Sequence, residues 1–272
     1  MPPSTVSSAL SVSLSARQRA VHDHIARHGF ATLDALAALL GVSVQTVRRE
    51  VIHLDRLGLV ERFHGGAGAV DKARRREYSE KKTLAREAKQ RIAQAIMAQL
   101  RANETVFLDV GTTTETLAQT LALEDTPLRV VTASLPAAIA LSGATQIETH
   151  VVGGVIGGAD GSLIGAGAAD ALSQYRFDTC VIAASGYDDA WAPTDFDLQK
   201  IFLKRLVIKR SRMALLAMDA GKFARCAPIA IAPLGSFDRL VTDTPAPAAF
   251  MEAARNQGII VQTSLPETQG AD

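Results

Sequence analysis

The sequence predicts an α/β protein with two domains, a small helical domain followed by a larger domain built on a parallel sheet. Its 272 residues are enough for two domains of ordinary size. Apolar residues follow a helical spacing up to residue 57, whereas beyond residue 100 short apolar runs alternate with helical stretches. Charge divides the chain similarly, because residues 17–76 hold 11 Lys and Arg against 6 Asp and Glu, and residues 77–272 hold 18 against 22. A basic end on a mildly acidic body is consistent with a domain that meets a polyanion, and equally with chance clustering of surface charge.

Three helices and a hairpin account for the first domain, which we place at residues 14–69. Gly41 separates the second helix from the third, and Ser43 offers an N-cap oxygen to the third. A short strand and a glycine turn follow the third helix. The predicted bounds are 16–29, 33–40 and 44–57 for the helices and 59–63 for the strand, with Gly65 and Gly66 in the turn.

The second domain is placed at residues 83–262, after a highly charged linker at residues 70–82. A helix at 83–100 opens it, and residues 258–262 offer a last strand. Between them lie six apolar runs whose alternation with helices predicts a parallel sheet. These runs are TVFLDV, LRVVTAS, THVVGGVI, DTCVIAAS, RMALLAMD and RLVTD.

Composition excludes several classes of protein. Two cysteines, Cys180 and Cys226, do not make a disulfide scaffold or a zinc site, and they suit a reducing cytosol. His150 stands apart from the other histidines, which lack ligand spacing. No apolar run reaches the roughly 18 residues of a membrane span, and the first residues carry no basic signal region. We therefore expect a cytoplasmic protein with no metal, no cofactor and no membrane segment.

Two short helices that meet at Gly41 and precede a polar-faced third helix are typical of a helix-turn-helix unit. The N-terminal residues of its later helix contact base edges in the major groove, while a following wing reaches phosphates. Arg suits guanine and Gln suits adenine. The predicted DNA-binding residues are Ser43, Gln45, Thr46, Arg48 and Arg49 on the helix, and Arg62, His64, Gly65 and Gly66 on the wing. A helical dimerisation module with solvated arginines is the alternative.

The clearest site signal in the second domain is FLDVGTTTETLAQTL, in which a strand passes through Gly-Thr-Thr-Thr into a helix. A helix N-terminus favours phosphate through its free amides and partial positive charge. Gly111 lets the backbone approach a ligand, and Thr112 and Thr113 add hydroxyl groups. Asp109 could bind a sugar hydroxyl or brace the loop. A helix cap made by Thr113 or Thr114 fits the pattern equally well.

Further candidates follow other strand ends, which gather at one edge of a parallel sheet. Thr132 and Ser134 offer a second hydroxyl pair. Lys222, which follows a strand, and Lys204, which lies on a predicted helix, are candidate cations for a phosphate, although a lysine is by default a solvated surface charge. The glycine-rich segment 153–158 lacks the dinucleotide-binding spacing and is as consistent with turns as with ligand contact.

The segment LDALAALLGVSVQTVRREVIHLDRLGLVERFHGGA resembles the signature of the DeoR family of bacterial transcription regulators. Glu50 stands where that family more often has Asp. Pieces of the second domain, DVGTTT, VVTAS, GSLIG, AASGYD, MDAGKF and LVTD, are similar to the family's C-terminal sensor. The resemblance implies a winged helix-turn-helix joined to an α/β sensor domain resembling the ribose-5-phosphate isomerase/CoA transferase fold.

The resemblance also implies a DNA-binding repressor that acts as a homo-oligomer, a dimer or tetramer, and is released by a phosphorylated effector. The segments PTDFDLQKIFLKR and LVTDTPAPAAF are similar to family members that regulate glycerol 3-phosphate use, which favours that effector. Ala133 replaces an Asn and Ala220 a Ser that the family usually has. The residues expected to contact or shape the effector site are Asp109, Gly111, Thr112, Thr113, Thr132, Ser134, Lys204 and Lys222.

Two other functions fit the same residues. A sugar-phosphate isomerase fused to a DNA-binding domain needs a placed carboxylate base. The second domain offers four candidate carboxylates, but they form no convincing pair: Asp188, Asp189, Asp195 and Asp197. An activator, or a constitutive DNA binder with a vestigial pocket, is consistent with Ala133. We expect a regulator rather than an enzyme.

Overall fold

The computed structural model describes residues 14–28, 30–57, 59–63, 66–69 and 82–264. The chain divides into two units, residues 1–74 and 75–272. Of the predicted linker, residues 70–81 lie outside the described residues, whereas Lys82 belongs to the C-terminal unit.

The N-terminal unit consists of helices packed with a three-stranded antiparallel sheet of order β1-β3-β2. Val21, Ile25, Leu36, Val47 and Leu54 are fully buried and form its core. The helices confirm the sequence prediction, whereas β1 was not predicted. The elements are α1 (Ala16–His28), β1 (Phe30–Thr32), α2 (Leu33–Leu40), α3 (Val44–Arg56), β2 (Val60–Phe63) and β3 (Gly66–Ala69).

The turn between α2 and α3 is fixed by local hydrogen bonds. Gly41 ends α2 in the left-handed region, with φ 63° and ψ 33°, where glycine has no steric penalty. The Val42 amide donates to the Ala37 carbonyl at 3.1 Å, which closes the end of α2. Ser43 Oγ then accepts from the Thr46 amide at 3.2 Å and caps α3. These bonds set the direction in which α3 leaves the turn.

The C-terminal unit alternates strands and helices, as predicted. Its helices are α4 (Arg86–Met97), α5 (Thr112–Leu121), α6 (Leu135–Leu141), α7 (Ala166–Ser173), α8 (Leu198–Arg210) and α9 (Ala248–Asn256). Its strands are β4 (Thr105–Leu108), β5 (Leu128–Thr132), β6 (Ile147–Val151), β7 (Val155–Gly157), β8 (Ser162–Ile164), β9 (Phe177–Ala183), β10 (Gly186–Tyr187), β11 (Pro193–Asp195), β12 (Ser211–Ala217), β13 (Ile229–Ala230), β14 (Arg239–Thr242) and β15 (Ile260–Thr263).

The main sheet has seven strands in the order β15-β14-β12-β9-β4-β5-β6, and all of its pairs are parallel. The chain moves outward from β4 to β6, returns to β9 beside β4, and then continues outward on the other side. The strand order therefore reverses between β4 and β9. In open parallel sheets, ligands bind beyond the carboxyl ends of the strands at such a switch point.

Helices cover both faces of this sheet. Ile92 of α4 and Leu117 of α5 belong to the apolar core on one face, and Leu203 of α8 and Phe250 of α9 belong to the core on the other. Two small antiparallel sheets, β7-β8 and β10-β11-β13, are added to this frame. Across the described part of the chain, every helix is too short or too polar to span a bilayer.

Candidate DNA-binding surface and effector site

The exposed face of α3 carries the predicted base-reading side chains. Val47 and Val51 are buried, whereas Gln45, Arg48 and Arg49 are exposed. A helix with 3.6 residues per turn separates these two sets onto opposite faces. The packing of the N-terminal unit therefore presents Gln45 and both arginines to solvent near the start of α3.

Two of the predicted DNA contacts also serve the helix itself. Ser43 Oγ accepts the Thr46 amide and lies 2.9 Å from Thr46 Oγ1. The first-turn hydroxyls thus satisfy an otherwise open end of α3. Ser43 remains exposed and Thr46 half-buried, so both lie beside the exposed arginine face.

Glu50 connects α3 to α1. Its carboxylate accepts a hydrogen bond from Gln18 Nε2 at 2.9 Å and lies 3.0 Å from Arg17 Nε. This acidic residue therefore holds α3 against α1 while Arg48 and Arg49 stay exposed. The sequence showed only a departure from the family pattern at Glu50, and its partners were not predicted.

The predicted wing lies partly within the described residues. β2 and β3 pair antiparallel with Phe63 opposite Gly66. Gly66 is buried in β3 and also pairs with Thr32. His64 and Gly65 lie outside the described residues, as does the side chain of Arg62.

A buried ion cluster lies at the switch point of the C-terminal sheet. Lys204 Nζ is 2.9 Å from Asp109 Oδ2, at the end of β4, and 2.7 Å from Asp195 Oδ2, at the end of β11. The Ala183 carbonyl, at the end of β9, accepts a third bond from Nζ at 2.6 Å. Lys204 is 2% exposed and Asp109 3% exposed. One ammonium group therefore joins β4, β9 and the β10-β11-β13 sheet.

The charges of this cluster depend on one another. Burial opposes the charged form of Lys204, but Asp109 and Asp195 together raise its pKa. Burial raises the pKa of Asp109 although Lys204 acts in the opposite direction. For Asp195, burial is outweighed by the charge and hydrogen bonding of Lys204, so its pKa is held below its usual range. The lysine therefore stays a cation and Asp195 is the stronger acid of the two carboxyls.

The contacts of Lys204 indicate a different role from the one that the sequence suggested. An ammonium group has three donors, and Asp109, Asp195 and the Ala183 carbonyl accept from Nζ at 2.6 to 2.9 Å. Lys204 therefore shapes the end of the sheet, and its charge is already balanced within the cluster. This arrangement favours a structural role for Lys204 over the predicted role as the cation that binds a phosphate.

The start of α5 lies beside this cluster. Its N-cap residue is Gly111, which has no side chain that could accept a hydrogen bond from the first amides. A Cβ at Gly111 would lie 3.1 Å from Ala183 Cβ, so glycine lets α5 begin close to the end of β9. Thr114 Oγ1 donates back to the Gly111 carbonyl at 2.9 Å and does not accept from the first amides. Among the described residues, no side chain caps the first-turn amides of α5, which lie at the switch point. Thr112 is half-buried there and Thr113 is buried.

Thr132 and Ser134 support the neighbouring strand end. Thr132 Oγ1 donates to the Leu108 carbonyl at 2.7 Å and accepts from the Ser134 amide at 3.0 Å. Ser134 Oγ accepts from the Ala137 amide at 3.3 Å and caps α6. Both residues are buried. Their hydroxyl groups therefore fix the loop between β5 and α6. This loop is held to the end of β4 by the bond from Thr132 to Leu108.

Lys222 follows the carboxyl end of β12 in a short 3-10 helix, Ala220–Lys222. Asp219 Oδ1 accepts from the Gly221 amide at 3.1 Å, and Asp243 Oδ1 accepts from the Ala220 amide at 2.7 Å. Two strand-end carboxylates thus hold the loop that carries Lys222. The lysine is half-buried at the same edge of the sheet, and only β9 separates β12 from β4.

Of the four carboxylates considered for isomerase chemistry, Asp188, Asp195 and Asp197 have structural partners. Asp188 Oδ1 accepts from the Ala190 and Ala192 amides at 2.9 and 2.8 Å. Asp197 caps α8, and Asp195 belongs to the lysine cluster. Ser185 Oγ donates to Asp195 Oδ1 at 2.9 Å, a contact that the sequence did not predict.

Two cavities among the described residues lie away from the strand-end groups. One of about 650 Å³ is lined mainly by apolar residues, including Ile208, Ile231 and Leu234. Another of about 280 Å³ lies between α7 and α8, next to Phe202. None of the predicted effector residues lines either cavity. The candidate effector site therefore depends on the chemistry of the strand ends and not on cavity size.

Comparison with protein families accounts for both units. A "DeoR-like helix-turn-helix domain" matches residues 17–73, and a "DeoR C terminal sensor domain" matches residues 84–244. The two units thus define a helix-turn-helix DNA-binding protein with a C-terminal sensor. The chain belongs to the DeoR family of transcriptional repressors. This confirms the resemblance seen in the sequence.

Relatives match over most of the chain. The glycerol-3-phosphate regulon repressor of Escherichia coli (strain K12) is 30% identical over 89% of this chain and 96% of that protein. The HTH-type transcriptional repressor CsqR of the same strain is 31% identical over 89% of this chain and 92% of that protein.

The chain also has a more distant likeness to solved structures. A D-ribose-5-phosphate isomerase in complex with phospho-erythronic acid is 15% identical, with a TM-score of 0.37 over 51% of this chain. The match spans about half, 54%, of that isomerase.

Proposed function

We propose that this repressor binds its operator as a homo-oligomer, a dimer or a tetramer, and releases it when a phosphorylated sugar or polyol binds the C-terminal unit. Glycerol 3-phosphate is the first candidate, since a relative that matches 89% of this chain is named for the glycerol-3-phosphate regulon. Residues 14–69 form the DNA-binding domain, 70–82 the linker and 83–262 the sensor. The protein acts in the cytoplasm.

The exposed face of α3 supports the proposed DNA contacts. Helix-turn-helix dimers place two such helices in successive major grooves, so operator half-sites should lie about one helical turn apart. Arg48, Arg49 and Gln45 are exposed at the start of the helix, where base edges are read. The full proposed set is Ser43, Gln45, Thr46, Arg48, Arg49, Arg62, His64, Gly65 and Gly66.

The open first turn of α5 at the switch point is the observation that carries the effector proposal. Its amides and helix dipole suit a phosphate, and Gly111 leaves room for close approach. Thr112 and Thr113 add hydroxyl groups there, and Lys222 at the same edge supplies the cation. We assign a shaping role to Asp109, Lys204, Thr132 and Ser134, because their side chains hold strand ends together.

The protein senses its ligand and does not transform it. Asp188, Asp195 and Asp197 are each engaged in structural contacts, which leaves none of them placed as a general base. By linkage, the effector must bind the free repressor more tightly than the DNA-bound form. Phosphate contacts by the basic N-terminal unit also imply steep salt dependence of operator binding.

Thermal unfolding in the presence of sugar phosphates tests this proposal. Glycerol 3-phosphate at 100 times its Kd should add about 2.7 kcal/mol to the unfolding free energy. The Lys222→Ala variant should lose this shift and the operator release while still binding DNA. Lys209→Ala, an exposed lysine of α8, is the matched control.

The outcomes separate the parts of the proposal. A response to a pentose or hexose phosphate alone keeps the mechanism and replaces the effector. No response to any phosphorylated compound contradicts the sensor assignment. Turnover of a sugar phosphate contradicts a purely sensory C-terminal unit.

A further inference from the structure

An ion pair joins the first described residue of the C-terminal unit to the helix that opens at the proposed effector site. Lys82 Nζ lies 2.5 Å from Glu115 Oε1, in the first turns of α5. The chain runs from Lys82 back through residues 70–81 to the DNA-binding unit. The position where the linker enters this unit is therefore bonded directly to α5.

The two partners differ in their surroundings. The Glu115 side chain is only 5% exposed, whereas that of Lys82 is 52% exposed. A buried carboxylate depends strongly on its partners, because desolvation penalises the charge. Gln119 Nε2 lies 3.5 Å from Glu115 Oε1 and adds a neutral partner. Any new charge near Glu115 therefore acts on a group with little solvent to screen it.

The segment that follows Lys82 is tied to the rest of the unit. Lys89 is buried on α4, and its Nζ donates to the Leu84 carbonyl at 2.8 Å. α4 then packs in the same apolar core as α5, where Ile92 and Leu117 are buried. The segment just after Lys82 is thus held by α4, which resists a change at the Lys82 contact on its C-terminal side.

A phosphate at the start of α5 would bring negative charge close to Glu115. Glu115 lies four residues after Gly111, about one helical turn of 5.4 Å along the axis. Like charges at this spacing repel, and the repulsion is greater where water is excluded. The carboxylate that holds Lys82 therefore senses whether the first turn of α5 is occupied by an anion.

We propose that the Lys82–Glu115 ion pair transmits effector binding from α5 to the linker. The inference depends on the proposed function, because it takes a phosphate at the first turn of α5 as the signal. The bound anion repels the Glu115 carboxylate and displaces it from Lys82, which changes where the linker leaves the C-terminal unit. Both residues are coupling residues and make no contact with DNA or effector in this scheme.

Full-length variants separate coupling from binding. Lys82→Met and Glu115→Gln each remove the ion pair, and Lys82→Arg retains it. Glu148→Gln is a matched control, because Glu148 forms an ion pair with Arg129 at 2.8 Å elsewhere in the same unit. Glycerol 3-phosphate binding is measured by calorimetry. Operator binding is measured by fluorescence anisotropy, on a DNA fragment selected by the unaltered protein from a random pool, with and without saturating glycerol 3-phosphate.

Glycerol 3-phosphate should weaken operator binding of the unaltered chain by about 5- to 150-fold, the usual range of allosteric coupling. Lys82→Met should bind glycerol 3-phosphate within about threefold of the unaltered chain, and Glu115→Gln should bind it at least as tightly, because that variant lacks the charge that repels the phosphate. Both should nevertheless show less than about a twofold effect on operator binding. The double variant should match either single variant, since all three lack the same pair. Lys82→Arg and Glu148→Gln should keep the full effect.

Three results would overturn the inference. Full coupling in both variants removes the ion pair from signal transmission and leaves the proposed function standing. Loss of glycerol 3-phosphate binding in Lys82→Met makes Lys82 a ligand and not a coupling residue. No binding of glycerol 3-phosphate to the unaltered chain removes the proposed effector and this inference with it.

Discussion

Lys204 of α8 and Asp109 at the end of β4 form a buried ion pair, with 2.9 Å between Nζ and Oδ2 and side chains only 2% and 4% exposed. The pair joins a helix on one face of the sheet to the strand at the switch point. Asp195 adds a second carboxylate at 2.7 Å, so the small β10-β11-β13 sheet is fixed to the same lysine. An ion cluster therefore lies beside the candidate effector site, and Lys204 holds its two carboxylates together.

Replacing Lys204 with Met should destabilise the C-terminal unit by about 3–5 kcal/mol, because it leaves the buried Asp109 and the half-buried Asp195 without their cation. Urea denaturation of the variant and the unaltered chain measures this difference. Arg212→Met is the control, since Arg212 pairs with Asp178 but is 86% exposed. Its loss should cost no more than about 1 kcal/mol. Equal small effects in both variants would contradict a structural role for the cluster.

Asp195 should contribute a stability that disappears in acid. Its pKa is lower in the folded chain than in an unfolded one, so its contribution is full above the ordinary value of 3.8 and falls as the pH drops below it. Asp109 acts in the opposite sense, because burial raises its pKa. Comparison with Asp195→Asn isolates the first effect. The difference in unfolding free energy between the two chains should shrink below about pH 4. A difference that grows on acidification would reverse the assignment.

The sequence predicted the parallel sheet because each buried strand is a short apolar run, and such runs are local features. The β10-β11-β13 sheet was not predicted, since strands such as Gly186–Tyr187 are too short to leave a pattern. The exposed face of α3, with Gln45, Arg48 and Arg49, was predicted from helical spacing alone. Residues that reach a surface can be recognised this way without knowledge of their partners.

The role of Lys204 could not be predicted from charge, because a lysine in a helix is usually solvated. One signal was present, however. Ile201 and Val207 are buried on the same helix, and Lys204 lies between them at a spacing of three. A charged residue within the apolar stripe of a helix indicates a buried partner. The identity of the partners, Asp109 and Asp195, depends on contacts between distant parts of the chain.

Arg48→Ala or Arg49→Ala should each weaken operator binding by about 1–3 kcal/mol if the side chain reads a base. Anisotropy titrations at fixed salt measure the change. Arg56→Ala is the control, since Arg56 is exposed in the last turn of the same helix. An arginine that contacts only phosphate should instead reduce the salt slope by about one and weaken all sequences alike. No effect at either position would remove this face of α3 from recognition.

Glu50→Ala should reduce operator affinity without removing a DNA contact, because Glu50 holds α3 against α1 through Gln18 and Arg17. The lost hydrogen bond and partly exposed ion pair should lower the stability of the N-terminal unit by about 1 kcal/mol. Glu50→Gln keeps an acceptor for Gln18 and should lose less. Thermal unfolding and operator titration of both variants test whether Glu50→Ala loses more stability and more operator affinity than Glu50→Gln. If Glu50→Ala weakens DNA binding with no loss of stability, Glu50 acts at the DNA surface and not between the helices.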